Sequence, residues 1–245
     1  MITDKQFNKW FNAFILIGMT VVMVIMTVFK LLNAQTGHAM LIVAAFGSLT
    51  GILSTVCSAN AKILTFLFGL FDVSIYGAMC LIDGKYGNAA LHLLYFLPMQ
   101  FIGFFQWRKR GAESSSKLKA RRLSAKQWYT YSGLFIAGIV VSYFVLAHFD
   151  SSEPATAIKT IVLMDAFSMM CNILGQMLMA MAYMDQWYFW IGVNISTVVM
   201  WTLTIAKGGD SSLFAVIYLV KYAFYLLNSF NGLRIWYNLS KEGQQ

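Results

Sequence analysis

A run of aromatic and amide side chains in the last third of the chain is well suited to bind a flat, polar small molecule. Trp187, Trp190 and Asn194 recur at positions i, i+3 and i+7 of an apolar stretch, a spacing that places them on one face of a helix. Indole faces attract flat cationic rings, and a carboxamide both donates and accepts hydrogen bonds. We therefore predict that this face forms part of a binding site.

Other apolar stretches carry polar side chains that we assign to the same predicted site. They are Asp72, Tyr76, Gln100, Asn172, Gln176, Lys221, Tyr225 and Asn228. Polar groups within a membrane span are costly and usually face a bundle interior or a water-filled path. For the amides, hydrogen bonding between helices is the alternative. For Asp72, Lys221 and Asp165 the alternative is a structural ion pair, and for Trp187 it is a position at the membrane interface.

The composition is that of a membrane protein. Of the 245 residues, 59% are hydrophobic and 11% are charged, against roughly 45–50% and about 25% in soluble domains. A soluble globule of this size cannot bury so much apolar surface, so lipid must solvate much of it. Eight apolar stretches are long enough to cross a bilayer, namely residues 10–29, 39–59, 63–82, 86–107, 128–149, 156–183, 187–206 and 212–236.

Much of the net charge of +8 lies in one loop between the fourth and fifth stretches. Its basic residues are Arg108, Lys109, Arg110, Lys117, Lys119, Arg121, Arg122 and Lys126. An excess of Lys and Arg beside a span marks the cytoplasmic side, and eight spans place both termini on that same side. We predict a multi-pass protein with cytoplasmic termini, whose basic loop sets the topology and contacts the lipid bilayer rather than a nucleic acid.

The sequence shows none of the motifs that we would expect of an enzyme. The histidines and cysteines are scattered, and no nucleophile elbow, zinc-protease motif or phosphate loop is present. We predict a transporter with no catalytic residue, no metal site and no cofactor. A membrane-embedded enzyme is the alternative from another class. An uptake assay separates the two, because a transporter accumulates intact solute and an enzyme yields product.

Two parts of the chain resemble each other. Gly103-x-x-x-Trp107 recurs as Gly232-x-x-x-Trp236, Phe46 with Ile52-Leu53 recurs as Phe167 with Ile173-Leu174, and Phe68-Gly69-Leu70 matches Ile191-Gly192-Val193, with offsets from 121 to 129 positions. Each unit holds three spans, and one span separates the units, so both have the same orientation in the membrane. Such parallel repeats place the substrate between them, near mid-membrane.

The predicted fold class is therefore all-α integral membrane, with two parallel three-helix bundles joined by a linker helix (3+1+3). One extra transmembrane helix precedes the bundles. The corresponding segments are residues 1–36 (extra helix), 37–107 (first bundle), 108–155 (basic loop and linker helix), 156–238 (second bundle) and 239–245 (carboxyl-terminal tail).

This organisation resembles the PnuC family of bacterial vitamin transporters, which are similar in shape to the SWEET sugar carriers. Trp187-x-x-Trp190 followed by Asn194 resembles the W-x-x-W motif and downstream asparagine of the members that carry nicotinamide riboside. The stretches 68–72 and 100–107 also resemble family positions, although the family often has asparagine where this chain has Asp72. The resemblance covers about residues 40–238.

The resemblance implies a nicotinamide riboside transporter of the bacterial inner membrane that supplies NAD biosynthesis. It implies facilitated diffusion, trapping of the vitamin by a cytoplasmic riboside kinase, and a homotrimer. The chain has no nucleotide-binding module, which agrees with transport that does not use ATP. Another B vitamin, such as thiamine, is the alternative substrate because thiamine is also cationic and aromatic. A mononucleotide is disfavoured, because burying its phosphate at mid-membrane is costly.

Overall fold

Long helices make up most of the described chain. The computed structural model describes residues 4–33, 37–82, 84, 86–112, 118–149, 160–206 and 212–242. Within these ranges there are eight long helices: α1 (Asp4–Asn33), α2 (His38–Ala59), α3 (Leu64–Ile82), α4 (Tyr86–Lys109), α5 (Ala125–Phe149), α6 (Thr160–Ala180), α7 (Gln186–Ala206) and α8 (Ser212–Glu242). A π-helical segment, Leu91–Phe96, lies within α4.

The helices agree with the predicted spans. By length and composition, α1 to α6 are long and apolar enough to cross a membrane. The helices α7 and α8 have 21 and 31 residues, which also reaches the roughly 20 residues that a bilayer core requires. The prediction of an all-helical membrane fold is confirmed. The predicted segment boundaries at residues 36 and 155, and Lys117 of the basic loop, lie outside the described residues.

Six of the helices pack as a ring. Along this ring α2 contacts α3, α3 contacts α4, α4 contacts α6, α6 contacts α7, α7 contacts α8, and α8 returns to α2. The helix α1 packs on α2 and α8, and α5 packs on α6. The helices α2–α4 correspond to the predicted first bundle and α6–α8 to the predicted second bundle, and we keep these names. The extra helix α1 and the linker helix α5 have similar positions, since each packs on the first helix of the bundle that follows it.

Equivalent hydrogen bonds join the two bundles. The indole N–H of Trp107 in α4 donates to the carbonyl oxygen of Met179 in α6 over 2.8 Å. The indole N–H of Trp236 in α8 donates to the carbonyl oxygen of Ser58 in α2 over 2.9 Å. In the sequence repeat, Trp107 corresponds to Trp236 and Met179 corresponds to Ser58, so the two bonds are equivalent. The ring centroids of Trp107 and Trp236 are 5.1 Å apart. The bundles are therefore related by an approximate two-fold axis that passes near the two indoles.

Glycines one turn before these tryptophans make the same kind of contact in both bundles. A Cβ atom on Gly103 would collide with the ring of Phe66, and one on Gly232 would collide with the ring of Trp187. Phe66 in α3 and Trp187 in α7 are therefore equivalent positions, 121 residues apart.

This equivalence corrects one detail of the sequence repeat, the pairing of Gly69 with Gly192. A Cβ on Gly69 would meet side chains of Ser54 and Gln100, whereas one on Gly192 would meet Cys171 and Phe167 on α6. The two glycines therefore face different neighbours. If Phe66 is aligned with Trp187, Gly69 corresponds to Trp190. At this position the second bundle therefore has a large indole and the first bundle has a glycine.

The described part of the basic loop packs against one end of the ring of helices. The backbone N–H of Arg121 donates to the carbonyl oxygen of Ala182 over 2.8 Å, and the N–H of Met184 donates to the carbonyl oxygen of Arg121 over 2.9 Å. The side chains of Leu118 and Leu123 are buried. The loop is therefore attached to the turn between α6 and α7, and we call this end of the ring the loop end.

Candidate substrate site

A cavity of about 370 Å³ lies among α1, α2, α3 and α8. Lys30 and Leu41 line its end nearest to the helix ends that are remote from the loop end, and we infer that this end is its mouth. It extends to about the middle of the helices, where Met19, Asp72 and Tyr225 line it. Small-molecule sites generally occupy about 300–1,000 Å³, so the cavity is large enough for a vitamin-sized solute.

Four of the predicted site residues meet in this cavity: Asp72, Tyr76, Lys221 and Tyr225. Asp72 and Lys221 interact electrostatically. A Cβ on Gly51 of α2 would lie 2.8 Å from Oδ1 of Asp72, so the glycine makes room for this carboxylate. Asp165 is exposed on α6, so the ion-pair alternative concerns Asp72 and Lys221. These two side chains line the same cavity but form no direct salt bridge among the described residues.

Tyrosine rings surround the ammonium group of Lys221. Its Nζ lies 5.9, 5.7 and 5.6 Å from the ring centroids of Tyr218, Tyr222 and Tyr225. Tyr218 and Tyr225 also line the cavity. Phenol faces attract cations, so this wall holds Lys221 and also presents aromatic surface to a cationic ring.

Trp190 and Asn194 lie together on α7 and face the neighbouring helices of the second bundle. A Cβ on Gly175 of α6 would lie 3.1 Å from the Trp190 ring, so the glycine lets the indole approach. The indole N–H donates to Oε1 of Gln186 over 3.3 Å. Nδ2 of Asn194 donates to Oγ of Ser229 on α8 over 3.0 Å. Ser229 is a neighbour that the sequence analysis missed.

Two predicted amides have unused hydrogen-bonding atoms. Nε2 of Gln176 and Oδ1 of Asn228 are buried and have no partner among the described residues. Nδ2 of Asn228 donates to the carbonyl oxygen of Thr55 over 3.3 Å, and Thr55 lines the cavity. An unpaired buried polar atom costs about 1–3 kcal/mol. Neither Gln176 nor Asn228 lines the cavity itself, and a role for them in binding stays a prediction.

Two other predicted amides bond within their own helices. Nδ2 of Asn172 donates to the carbonyl oxygen of Ser168 over 2.8 Å. Nε2 of Gln100 donates to the carbonyl oxygen of Phe96 over 3.1 Å, and its Oε1 fills the space beside Gly69. Neither side chain lines the cavity, and a role for them in binding stays a prediction.

Trp187 lies apart from the cavity, in the core at the loop end. Its side chain is 2% exposed, and its ring lies over Gly232, 6.4 Å from the ring of Trp236 between centroids. A residue at the membrane interface would be exposed to lipid head groups, so that alternative does not describe this position. A role for Trp187 in binding stays a prediction.

The loop end of the ring is closed by packed aromatic rings. Phe66, Trp107, Trp187 and Trp236 belong to one buried cluster, and Leu118 and Ala120 of the basic loop pack in it. The centroids of Phe66 and Trp107 are 4.8 Å apart. The cavity therefore begins at the opposite end and stops before this aromatic layer.

The described residues include no group of three or more His, Cys, Asp or Glu side chains that could hold a metal ion. The cavity also contains residues that the sequence analysis did not select, above all a row of side chains from α1. The sequence pattern that indicates this row is the helical spacing of Met23, Met26, Thr27 and Lys30.

The chain is similar to known vitamin transporters over most of its length. A family model described as "Nicotinamide mononucleotide transporter" matches residues 41–238. The nicotinamide riboside transporter PnuC of Neisseria mucosa is 34% identical over 202 residues, covering 81% of this chain and 73% of that protein. The protein of the same name in Haemophilus influenzae is 30% identical over 200 residues, covering 81% and 80%.

The fold is also similar to that of a solved relative. A structure described as "Crystal structure of the Vitamin B3 transporter PnuC" superposes with a TM-score of 0.65 at 32% identity, covering 94% of this chain and 92% of that chain. The prediction of a transporter rather than an enzyme is confirmed by these matches. The family match and the riboside transporters of two bacteria together show that this chain belongs to the PnuC family of membrane transporters.

Proposed function

We propose that this protein carries nicotinamide riboside across the bacterial cytoplasmic membrane by facilitated diffusion. The observation that carries the proposal is a cavity that opens at one end of a two-fold repeat, while aromatic rings close the other end. A channel needs a continuous path, and an enzyme needs reactive groups. A one-sided cavity where α8 of one repeated bundle meets α2 and α3 of the other fits an alternating-access transporter, whose substrate site lies at the interface of its repeats.

The hydrogen bonds of the Trp107 and Trp236 indoles hold the loop end closed, and both bonds can be broken and formed again. Trp107 and Trp236 each tie the last helix of one bundle to the first helix of the other. Rotation of one bundle against the other would break both bonds together, because the approximate two-fold axis relates them. The same movement would separate the aromatic layer and release the solute at the loop end.

The chemistry of the site fits nicotinamide riboside, which has a flat cationic ring and a ribose rich in hydroxyls. The rings of Tyr76 and Tyr225 attract the cation, with about 0.5–2 kcal/mol from each well-placed ring, and the carboxylate of Asp72 offsets the charge of Lys221 beside them. The unpaired atoms of Gln176 and Asn228 complement the carboxamide and ribose, which both donate and accept hydrogen bonds.

The riboside fits the site better than the mononucleotide. A phosphate group adds about −1.5 to −2 charges, and burial of that charge needs strong compensation. In the cavity, the ammonium of Lys221 already interacts with Asp72. Thiamine shares the cationic aromatic character of nicotinamide riboside, so calorimetric titration of the purified protein with both vitamins is the test that separates them.

The transport proposal predicts equilibrative uptake. We expect radiolabelled nicotinamide riboside to enter liposomes that contain the purified protein until the inside and outside concentrations are equal, and an uncoupler should not change this level. The reason is that the sequence has no ATPase module and no recognisable proton relay. Protein-free liposomes are the control. Concentrative uptake driven by an imposed proton or sodium gradient would refute facilitated diffusion and would make Asp72 and Asp165 candidates for ion coupling.

The proposal also includes an orientation, with both termini and the basic loop in the cytoplasm. The reason is the excess of Lys and Arg in the loop. We expect a cysteine placed at Ser115 to be unreactive toward an impermeant thiol reagent added outside intact cells and to react after permeabilisation. Labelling of this cysteine in intact cells would contradict the orientation. Trapping of the vitamin by a cytoplasmic riboside kinase and assembly as a homotrimer complete the proposal.

A further inference from the structure

One face of α1 lines the cavity, although α1 lies before the residues that match the family. The members of this face recur every three or four positions, as Met19, Val22, Met23, Met26, Thr27 and Lys30. The opposite face is apolar and exposed, with Ile17, Val21, Val24, Ile25, Val28 and Leu32. Between residues 21 and 32, the polar side chains Thr27 and Lys30 both lie on the cavity face. The helix is therefore divided into a lipid face and a cavity face.

Specific contacts hold α1 in this orientation. The side chains of Asn12 and Asn60 exchange hydrogen bonds of 2.9 and 3.0 Å. A Cβ on Gly18 would collide with the ring of Phe224 on α8, so the glycine admits a close approach. Met19 is 1% exposed and packs with Ile52 of α2. Polar pairing and close packing both fix the rotation of α1 about its axis, which a simple lipid anchor would not need.

We propose that α1 forms a wall of the solute path and that Met23, Met26 and Thr27 contact the solute between the mouth and Asp72. This inference rests on the proposed transport function. Methionine is flexible, and its sulfur makes favourable contacts with aromatic rings, which suits a surface past which a flat ring moves. The hydroxyl of Thr27 donates to the carbonyl oxygen of Met23 over 2.9 Å, so its oxygen lone pairs can accept a hydrogen bond from a ribose hydroxyl.

A pair of tryptophan substitutions tests the wall. We expect Met26→Trp to lower nicotinamide riboside uptake about tenfold or more, because the indole overfills the cavity. The matched control is Val24→Trp, which adds the same side chain two positions away on the lipid face, where Val24 is 47% exposed. Its uptake should stay within about twofold of wild type, since lipid accommodates an indole. Equal effects in the two variants, when both are inserted and monodisperse, would overturn the inference.

Thiol accessibility provides a readout that does not depend on tolerance of a large side chain. In a background with Cys57, Cys80 and Cys171 replaced by alanine, Thr27→Cys should react with a charged thiol reagent, and saturating nicotinamide riboside should slow the reaction severalfold. Val28→Cys should not react, because a thiol that faces lipid stays protonated and inaccessible to a charged reagent.

The outcomes distinguish this inference from the transport proposal. If the wild-type protein takes up riboside but Thr27→Cys is unreactive, or reacts without protection, the wall is wrong and the transport function stands. If the wild-type protein does not take up riboside, the transport proposal fails. Reaction at residue 27 beside an unreactive residue 28 would then still support α1 as a wall of a water-filled path.

Discussion

Replacement of Lys221 by methionine should destabilise the folded protein by about 1–2 kcal/mol. Lys221 and Asp72 line the same cavity and interact electrostatically, so the substitution removes the counter-charge of a carboxylate in the membrane interior. Removing one partner of a buried ion pair in direct contact costs about 3–5 kcal/mol. We expect a smaller effect, because Asp72 and Lys221 form no direct salt bridge among the described residues and water in the cavity screens the remaining charge.

Unfolding of the purified variants in detergent checks this expectation. The double variant Asp72→Asn, Lys221→Met should recover most of the lost stability, because it removes both charges together. Lys62→Met is the matched control, since Lys62 is exposed in the turn between α2 and α3 and its loss should change stability by less than about 0.5 kcal/mol. A stable Lys221→Met single variant would show that the two charges are not coupled.

The double variant also decides what Asp72 does. Uptake that is close to wild type would show that Asp72 serves to balance Lys221. Stable protein with strongly reduced uptake would show that Asp72 and Lys221 contribute to transport beyond balancing each other's charge.

The spans could be predicted from the sequence because hydropathy alone determines them. A stretch of about 20 apolar residues has few stable alternatives to a membrane helix. The repeat could be predicted for a similar reason. Trp107 and Trp236 are joined by equivalent bonds to Met179 and Ser58, and the structure needs the same residue types at equivalent places to make those bonds.

The contacts between helices could not be predicted in this way. Whether Gly69 corresponds to Gly192 or to Trp190 depends on how the repeats are aligned. The contacts of Phe66 with Gly103 and of Trp187 with Gly232 decide this alignment, and these contacts join different helices. Trp187 shows the same limit. Its spacing from Trp190 places both on one side of α7, but Gly232 on α8 decides that Trp187 packs in the loop-end core.

The amides were ambiguous in the sequence for a chemical reason. In an apolar span, an amide bonds to the nearest carbonyl oxygen that has a spare lone pair, and for Asn172 that oxygen lies one turn back in the same helix. Gln176, one turn further along α6, keeps an unpaired Nε2. Spacing alone does not separate these two cases, because both residues lie on the same stripe.

Trp190→Ala should weaken binding of nicotinamide riboside about 5- to 30-fold. Loss of one stacking face in a desolvated site costs about 1–2 kcal/mol. The matched control is Trp10→Ala, which also removes a membrane indole. Trp10 is 73% exposed on α1 and lies more than two turns before the first cavity residue of that helix, Met19. Its loss should leave the affinity close to that of wild type. Calorimetric titration of both purified variants measures the difference.

Asn194→Leu should weaken binding by more than the loss of one hydrogen bond, about tenfold or more. Leucine cannot pair with a polar group of the solute, which would then stay buried without a partner at a cost of about 1–3 kcal/mol. The substitution also removes the donor to Oγ of Ser229, but that hydroxyl keeps its bond to the carbonyl oxygen of Tyr225, 2.9 Å away, so α8 stays in place. If folded, monodisperse Trp190→Ala and Asn194→Leu proteins bind the riboside like wild type, the face of α7 serves packing alone, and binding must be assigned to the cavity that Asp72, Tyr76 and Tyr225 line.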